Sequence, residues 1–287
     1  MAIIIISRGC FSHGKDVAEK TGEMLGYKVI SRETLIEEAA QIYHVPEKDL
    51  IKSVHAPSVL ERFTRGKEQY LSYIQAMLLE HAVNDNLIYH GHASHLLLPN
   101  ISHVLNIRIL ADIADRIAFM QQSHDITDKE AMRHITAEDQ QRVRWANYLY
   151  KIDITDPNLY DIIIHIKNLN IEDACKIIYH TAQMDAFAAT PESRQAIADL
   201  ALRSRVTAAI ENAVKLDMKY AVHANNGIVH IRAGTPSIRK TSYMNQKTQD
   251  YLGQKIKQET RNEIAKAIKD IPGIKNVIYE IAPTEYT

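Results

Sequence analysis

The first sixteen residues constrain the fold of this chain more than any other part of its sequence. Residues 2–7 read Ala-Ile-Ile-Ile-Ile-Ser, and such an apolar, β-branched run is typical of a strand buried on both faces of a parallel sheet. Gly9 and Gly14 bound the loop that follows, and Lys15 comes next, so that the spacing is G-x-x-x-x-G-K. Because helical spacing begins at Lys15, the sequence predicts a strand, a phosphate-binding loop and a helix in succession.

Each part of this loop has a role if it binds phosphates. Glycines let backbone N–H groups curl around phosphate oxygens, the helix N-terminus adds its positive end, and Lys15 reaches the β- and γ-phosphates. Asp16 stands where such loops usually carry Ser or Thr, and its carboxylate is a candidate Mg²⁺ ligand. The predicted phosphate-binding residues are Gly9, Ser12, His13, Gly14, Lys15 and Asp16. The alternative is a glycine-rich turn that binds no ligand.

Predicted strands and helices alternate through the first two thirds of the chain. Strands are predicted at residues 2–7, 27–30, 86–89, 104–110 and 160–166. This alternation favours an α/β fold with a parallel, five-stranded sheet flanked by helices. Between the last two strands, three successive helices are predicted at residues 113–122, 128–136 and 137–150.

The pattern changes after residue 184. Residues 185–193 contain small residues and a Thr-Pro pair, which predict a linker. Residues 194–287 then follow the order α-β-β-α-β, with a hairpin signal at Asn225-Asn226-Gly227. The predicted domains are therefore an α/β domain at 1–184, a linker at 185–193 and a small α+β domain at 194–287.

The two predicted domains differ in charge. The formal net charge of the chain is −1, yet residues 1–193 carry 19 basic and 26 acidic side chains, whereas residues 194–287 carry 15 and 9. This asymmetry predicts two modules with different partners, and a basic module attracts anions such as a small ligand or a phospholipid head group. A basic face used in contacts between copies of the chain, as in a homo-oligomer, is the other interpretation.

Composition excludes several classes of protein. The chain is 46% hydrophobic and 24% charged, which is close to the globular average and excludes a disordered or fibrous protein. Two cysteines far apart in sequence form no disulfide framework, and no apolar run reaches the ~18–20 residues of a membrane-spanning helix. The N-terminus shows no signal-peptide pattern. We therefore expect a cytoplasmic protein.

The phosphate loop belongs to a wider set of motifs. These are Ile6-Ser7-Arg8 before the loop, Lys15-Asp16 after it, residues 31–36, Arg142-Val143-Arg144, and residues 156–161. Together they resemble the cytidylate kinase-like family of P-loop nucleoside monophosphate kinases over most of residues 1–183. The resemblance implies a P-loop kinase-like sheet, ATP as the phosphoryl donor, Mg²⁺ as its counterion and a nucleotide such as CMP as the acceptor.

The resemblance also implies which side chains act. Arginines of a closing lid would stabilise the transferred phosphoryl group, so that the catalytic candidates are Lys15, Arg133, Arg142 and Arg144. Arg116, on the preceding helix, is a further candidate. Arg142 and Arg144 are two residues apart, and they point to different sides of a helix unless it ends or bends there.

The acceptor site follows from the same resemblance. Its candidate residues are Ser31, Arg32, Arg62, Arg65 and His92. Many relatives carry Gly-Arg-Gly after the third strand, where this chain reads Gly91-His92-Ala93. Histidine is shorter than arginine and mostly neutral at pH 7, so it holds a monophosphate less firmly.

The second predicted domain has motifs of its own. These are Asp199-Leu200-Ala201, the run from Asn226 to Gly234, and a helix that ends at Ile271-Pro272-Gly273 before a last strand. They resemble a BON domain, and the resemblance implies binding of a phospholipid or another small ligand.

Three functions are consistent with these features. The leading hypothesis is ATP-dependent phosphoryl transfer to a nucleoside monophosphate, with a ligand-sensing or docking module at the C-terminal end. The second is a nucleotide-binding sensor with little or no kinase activity. The third is a scaffold that docks to lipid or to a partner and whose α/β domain is only structural.

Overall fold

The chain folds into two compact units, Met1–Arg194 and Gln195–Thr287. The computed structural model describes residues 2–53, 66–91, 94–213, 219–235 and 245–284. The segment 185–193, predicted to be a linker, holds a short 3₁₀ helix at Asp185–Phe187 and the first residues of a helix that begins at Pro191. No helix among the described residues is long and apolar enough to cross a membrane.

The first unit contains a five-stranded parallel sheet, as predicted. Its strands are β1 (Ile3–Arg8), β2 (Lys28–Ser31), β3 (Leu87–Gly91), β4 (Val104–Ala111) and β5 (Ile162–Ile166). The strand order is β2-β3-β1-β4-β5, which puts β1 in the middle. The isoleucines of β1 are completely buried, as the continuous apolar run requires.

Seven α-helices of the described residues alternate with or follow the strands of this sheet along the chain. They are α1 (Gly14–Leu25), α2 (Arg32–Tyr43), α3 (Glu47–Ser53), α4 (Gly66–Ala82), α5 (Ile113–Gln121), α6 (Asp128–Tyr150) and α7 (Ile171–Ala182). Side-chain caps fix several starts: Thr127 and Asn170 form capping boxes, and Ser31 accepts a hydrogen bond from the Thr34 N–H.

The prediction of separate helices at 128–136 and 137–150 is wrong, because α6 is continuous through Thr136 and Ala137. The polar run from Glu138 to Gln141 interrupts the apolar pattern, but it contains neither Gly nor Pro to break the helix. Buried residues on both sides of this polar run, such as Ile135 and Trp145, hold α6 as one element.

Strand order determines where a ligand can bind. β1 connects through α1 to the β2 side of the sheet, whereas β4 connects to β5 on the other side. Ligands bind where the connections diverge, in the crevice beyond the carboxyl ends of the adjacent strands. In this sheet that place lies beyond β1 and β4, where Ser7 pairs in register with Arg108.

The second unit holds a small mixed sheet with the predicted element order. Its elements are α8 (Pro191–Ala213), β6 (Tyr220–Asn225), β7 (Ile228–Ala233), α9 (Gln246–Ile268) and β8 (Asn276–Ile281). β7 pairs antiparallel with β6 and parallel with β8. Asn226 and Gly227 make the hairpin turn with φ of 49° and 84°, the positive values that a type I′ turn needs. The core contains Val206, Val229, Ile231, Ile264 and Ile268.

Candidate functional site

The predicted phosphate loop connects the carboxyl end of β1 to α1. Its left-handed positions are Phe11, with φ 55°, and His13, with φ 61°. Gly14 is needed for a close approach instead, because a Cβ atom there would lie 2.4 Å from Cδ of Arg8. A Cβ at Gly9 would meet the Arg116 guanidinium only at 3.4 Å. The loop is therefore tightest at Gly14.

Contacts from other elements fix the loop. The buried Ser12 hydroxyl donates to the Gly9 carbonyl at 3.0 Å and lies 3.3 Å from the Ile109 carbonyl of β4. Nε of Arg116 donates to the Cys10 carbonyl at 2.6 Å, and the Cys10 N–H donates to Asp139 at 3.1 Å. The Ser12 side chain is thus used inside the protein, so any contribution it makes to a phosphate site comes from its backbone N–H.

The side chains after the loop are accessible. Lys15 is 63% exposed, and its Nζ lies 3.6 Å from Glu19. Nδ1 of His13 lies 3.1 Å from Oδ2 of Asp16, and the His13 ring packs against Phe119 with 4.2 Å between centroids and an angle of 33° between the ring planes. Lys15 is therefore free to reach a ligand at the helix N-terminus, next to an aromatic platform made by His13 and Phe119.

A large open cleft begins at this platform. Its volume is about 820 Å³, and Asp115, Lys167, Asn170 and Glu172 are among its lining residues beside His13, Asp16 and Phe119. A second cavity of about 440 Å³ lies against the loop itself and shares those last three residues. Volumes of ~300–1,000 Å³ are typical of small-molecule and cofactor sites. The two cavities together offer a continuous surface to a ligand that reaches from the loop into the cleft.

Asp16 is the described residue that best fits a magnesium ion at this site. Its side chain is 39% exposed, and its carboxylate belongs to the oxygen ligands that Mg²⁺ prefers. Mg²⁺ commonly takes one or two carboxylates together with substrate phosphates, which matches a single acidic side chain at the start of α1. No cluster of three metal-ligating side chains occurs in the part of the chain that the structure describes.

The predicted catalytic arginines do not converge. Arg142 is half-buried and its guanidinium donates to the Arg8 carbonyl at 2.9 Å, whereas Arg133 and Arg144 are exposed on the same uninterrupted helix. Arg116, the further candidate, is bound to the loop and lies 2.6 Å from Asp139. The structure thus brings Arg142 and Arg116 into contact with the loop or the end of β1, whereas Arg133 and Arg144 are exposed on α6.

Sequence reasoning missed three residues at this site. Arg8, Arg108 and Asp139 line a cavity with Arg116 and Arg142 beyond the end of β1. Arg108 offered a signal, because a charged residue in the middle of an apolar strand rarely lies there without a role. Asp139 offered none, since its contact with Cys10 joins residues 129 positions apart.

Of the five predicted acceptor residues, the structure describes two, Ser31 and Arg32. Ser31 caps α2, and Arg32 lies 2.9 Å from Glu33. Arg62, Arg65 and His92 lie outside the described residues.

Two buried histidines stand near these residues. His90 is 3% exposed and pairs in register with Ile6 and Ser31. Burial and the Arg8 charge lower its pKa to about 4. Burial likewise lowers the pKa of His95 to about 4, and its Nδ1 lies 3.1 Å from the Ser7 hydroxyl. Both rings are therefore neutral at pH 7, and neither supplies a positive charge to a phosphate.

A loop with G-x-x-x-x-G-K spacing between a central parallel strand and a helix, at the edge where the sheet connections diverge, defines a protein with the fold of the P-loop kinases. The chain belongs to the Cytidylate kinase-like family, whose model matches residues 3–168. This confirms the family resemblance of the first unit.

Relatives with established names are distant. The chain is 30% identical to the cytidylate kinase of Staphylothermus marinus over 100 residues, which are 34% of this chain and 55% of that protein. The chain thus spans about half the length of that relative. It is 22% identical to the cytidylate kinase of Pyrobaculum islandicum over 178 residues, which are 62% of this chain and 90% of that protein.

A solved structure supports the fold. The crystal structure of an uncharacterized protein from Eubacterium ventriosum superposes with a TM-score of 0.50 at 19% identity. The superposition covers 63% of this chain and 97% of that one.

Proposed function

We propose that the chain transfers the γ-phosphoryl group of ATP to a nucleoside monophosphate, with CMP as the first acceptor to test. The observation that carries this proposal is the phosphate loop with its adjoining cleft of about 820 Å³, in a chain of the Cytidylate kinase-like family. The two relatives named above both carry the name cytidylate kinase.

The donor side of the proposal uses the loop and the start of α1. Backbone N–H groups and the positive end of α1 would hold the donor phosphates, and the exposed Lys15 would leave Glu19 to reach them. The cleft beside His13 and Phe119 is large enough for the nucleoside.

Phosphoryl transfer asks the protein mainly for positioning and charge neutralisation. Mg²⁺ would be held through Asp16, and it supplies charge neutralisation at the phosphates. Arg142 already reaches the end of β1, which places it best among the proposed catalytic arginines Arg133, Arg142 and Arg144. Ser31, Arg32, Arg62, Arg65 and His92 stay the proposed acceptor residues.

A coupled assay tests the kinase proposal. ADP formation is measured with ATP and Mg²⁺ against CMP, dCMP, UMP and AMP. We expect acceptor-dependent turnover that Lys15→Ala lowers at least tenfold, while Lys48→Ala, an exposed lysine on α3, leaves it unchanged. The proposal would be excluded if none of the four acceptors supported turnover. Equal turnover in Lys15→Ala and Lys48→Ala would exclude it as well.

A nucleotide-binding sensor is the second candidate. Gly91-His92 in place of the Gly-Arg of many relatives favours it, because a weaker acceptor site lowers turnover without affecting donor binding. Calorimetry with a non-hydrolysable ATP analogue would then show binding in a protein without turnover. Recovery of CMP-dependent turnover in His92→Arg would support this candidate, and full activity of the unmodified chain would exclude it.

For the second unit, we propose a BON-like module that binds an anionic ligand such as a phospholipid head group. Its support is the α-β-β-α-β order and a cavity of about 590 Å³ whose lining includes Lys219, Arg232 and Lys257. Phosphatidylcholine vesicles with and without phosphatidylglycerol test it by co-sedimentation of the full chain. Lys257→Glu should reduce binding to the anionic vesicles, and Lys247→Glu, on the same helix but outside the cavity, should reduce it less.

A further inference from the structure

Hydrogen bonds join three polar side chains at the end of the sheet that lies away from the phosphate loop. Lys28 is the first residue of the edge strand β2, Glu38 belongs to α2, and His81 lies in the last turn of α4. Lys28 pairs in register with Leu87, the first residue of β3, so it lies at the amino end of the parallel strands. The phosphate loop follows the carboxyl end of β1. These three side chains are therefore separate from the site described above.

The chemistry of the three groups fixes the direction of the hydrogen bonds between them. Nζ of Lys28 lies 3.1 Å from Nδ1 of His81, and Nε2 of the same ring lies 2.7 Å from Oε2 of Glu38. Because a lysine ammonium has no acceptor, Lys28 donates and Nδ1 accepts. The ring proton is then on Nε2, which donates to Glu38. We call Lys28, His81 and Glu38 the lysine triad.

The lysine triad is sheltered at the imidazole and open at the amine. The side chains of His81 and Glu38 are 19% and 33% exposed, whereas Lys28 is an exposed residue. Glu38 and His81 come from α2 and α4, which pack against each other. The orientation of the ring is therefore held by two helices, while the amine is accessible to a reagent from solution.

Other lysines of the first unit have a different kind of partner. Lys20 pairs with Glu172 and Lys167 pairs with Asp112, each at 2.7 Å. A carboxylate favours the ammonium form of a lysine, which is not a nucleophile because a proton occupies its lone pair. An imidazole nitrogen can instead accept that proton. A nucleophile within hydrogen-bond reach of a base, with the base oriented by a third group, is the signature of an activated nucleophile.

We propose that Lys28 is a site of covalent acylation, which takes the acyl group of an activated donor such as an acyl phosphate. The amine gives its first proton to solvent and attacks the acyl carbon, so that an N–C bond forms. His81 accepts the second proton as the nitrogen becomes positive, and Glu38 stabilises the imidazolium. The C–O bond to the phosphate then breaks, and the phosphate leaves with its electron pair and takes the proton from His81. The products are an amide on Lys28, hydrogen phosphate and one proton in solution.

Two observations favour acylation over other reactions of an amine. Lys28 lines none of the cavities described above, so none of them would hold a substrate against the amine. Lys28 is also exposed, and water would hydrolyse an imine formed there, whereas an amide persists. A small activated donor that reacts from solution and leaves a stable product fits both observations.

Mass spectrometry of the full chain treated with acetyl phosphate tests the proposal. Acetylation is followed over time, with Lys48 and Lys129, two exposed lysines of α3 and α6, as references within the same molecule. Since a positioned general base accelerates a reaction about 10²–10⁴-fold, Lys28 should be acetylated at least tenfold faster than either reference. Equal rates at the three lysines would overturn the proposal.

Replacement of the base separates activation of Lys28 from a merely structural contact. His81→Gln should slow acetylation of Lys28 at least tenfold and leave the rates at Lys48 and Lys129 unchanged. A hydrogen bond that only holds Lys28 in place predicts the reverse, because loss of the ring frees the amine. An unchanged or faster rate at Lys28 in His81→Gln would therefore overturn the proposal.

A second variant tests the carboxylate. Glu38→Gln keeps an acceptor for Nε2 of His81 but removes the charge that stabilises the imidazolium, so acetylation of Lys28 should slow. Glu37→Gln, at the exposed neighbouring position of α2, should leave the rate unchanged. If His81→Gln unfolds, the comparison of these two variants decides, and equal rates at Lys28 in them would count against the proposal. No arm uses ATP or an acceptor nucleotide, so the result is independent of the proposed kinase function.

Discussion

Gly9 and Gly14 give the phosphate loop its motif, yet the left-handed positions of the loop are Phe11 and His13. A left-handed conformation costs an L-residue roughly 1–2 kcal/mol, and it persists when neighbours hold it. Here both rings pack against Phe119, with centroid distances of 6.1 Å for Phe11 and 4.2 Å for His13. The loop therefore depends on aromatic packing for its shape, and on Gly14 for the space that Arg8 occupies.

This difference between the glycines gives a prediction at the residue scale. Gly14→Ala should lower the free energy of unfolding by about 1–3 kcal/mol, because its Cβ would collide with Arg8 2.4 Å away. Gly9→Ala should lower the free energy of unfolding by less, since its Cβ would meet the Arg116 guanidinium only at 3.4 Å. Urea denaturation of both variants measures this, and a larger loss in Gly9→Ala would contradict the account of the loop.

Contacts between elements, and not the loop alone, hold the site together. α5 contributes Arg116 and α6 contributes Asp139 and Arg142, and each of these residues is bonded to the loop or to the end of β1. Asp139 is central, because its carboxylate joins Arg116 to the Cys10 N–H. α6 is thus both a support of the loop and one wall of the cavity of about 230 Å³ beyond the end of β1.

Asp139→Asn tests this role at the scale of elements. The amide oxygen can still accept from Cys10, but the charge that offsets Arg116 is lost, so the melting temperature should fall in phosphate-free buffer. The neighbouring Glu138→Gln, which lies outside the cavity lining, serves as the control. Equal melting temperatures of Asp139→Asn and Glu138→Gln would contradict this role of Asp139.

The sequence predicted those elements whose signals are local. The isoleucine run predicted β1, and Asn225-Asn226-Gly227 predicted the hairpin, because one short segment carries the whole signal in each case. The length of α6 and the contact of Asp139 with Cys10 could not be predicted, since they depend on packing between distant segments. For the same reason, the motif predicted the turn between β1 and α1 but did not indicate Arg108 as part of its surroundings.

At the scale of the whole molecule, the two units differ in charge and in relation to known proteins. The family match ends at residue 168 and so lies within the first unit, while the excess of basic residues lies in the second. An anion that binds to the acidic first unit would therefore be held by local arginine and backbone geometry, against the net charge of that unit.

The buried histidines give the whole fold a dependence on pH. The pKa values of His90 and His95 are lowered to about 4 by burial, so the unfolded chain binds these protons at a higher pH than the native one. The contribution of each neutral histidine to the free energy of unfolding is therefore complete above pH 6.5 and decreases as the pH falls towards 4. Between pH 7 and pH 5 we expect a loss of roughly 2 kcal/mol per histidine. Urea denaturation at both pH values measures this loss.

A variant isolates the contribution of His95. His95→Asn should reduce the loss of stability between pH 7 and pH 5, whereas His44→Asn, at an exposed helix end, should not. An equal loss in the two variants would contradict the assignment to His95.

The fate of the γ-phosphoryl group tests the central claim most directly. The full chain is incubated with γ-labelled ATP, Mg²⁺ and CMP, and the nucleotides are separated by chromatography. The account predicts label in CDP, and no label there in Lys15→Ala. Label that stays in ATP, or appears only as inorganic phosphate with each of CMP, dCMP, UMP and AMP, would contradict phosphoryl transfer to a nucleoside monophosphate as the function of this site.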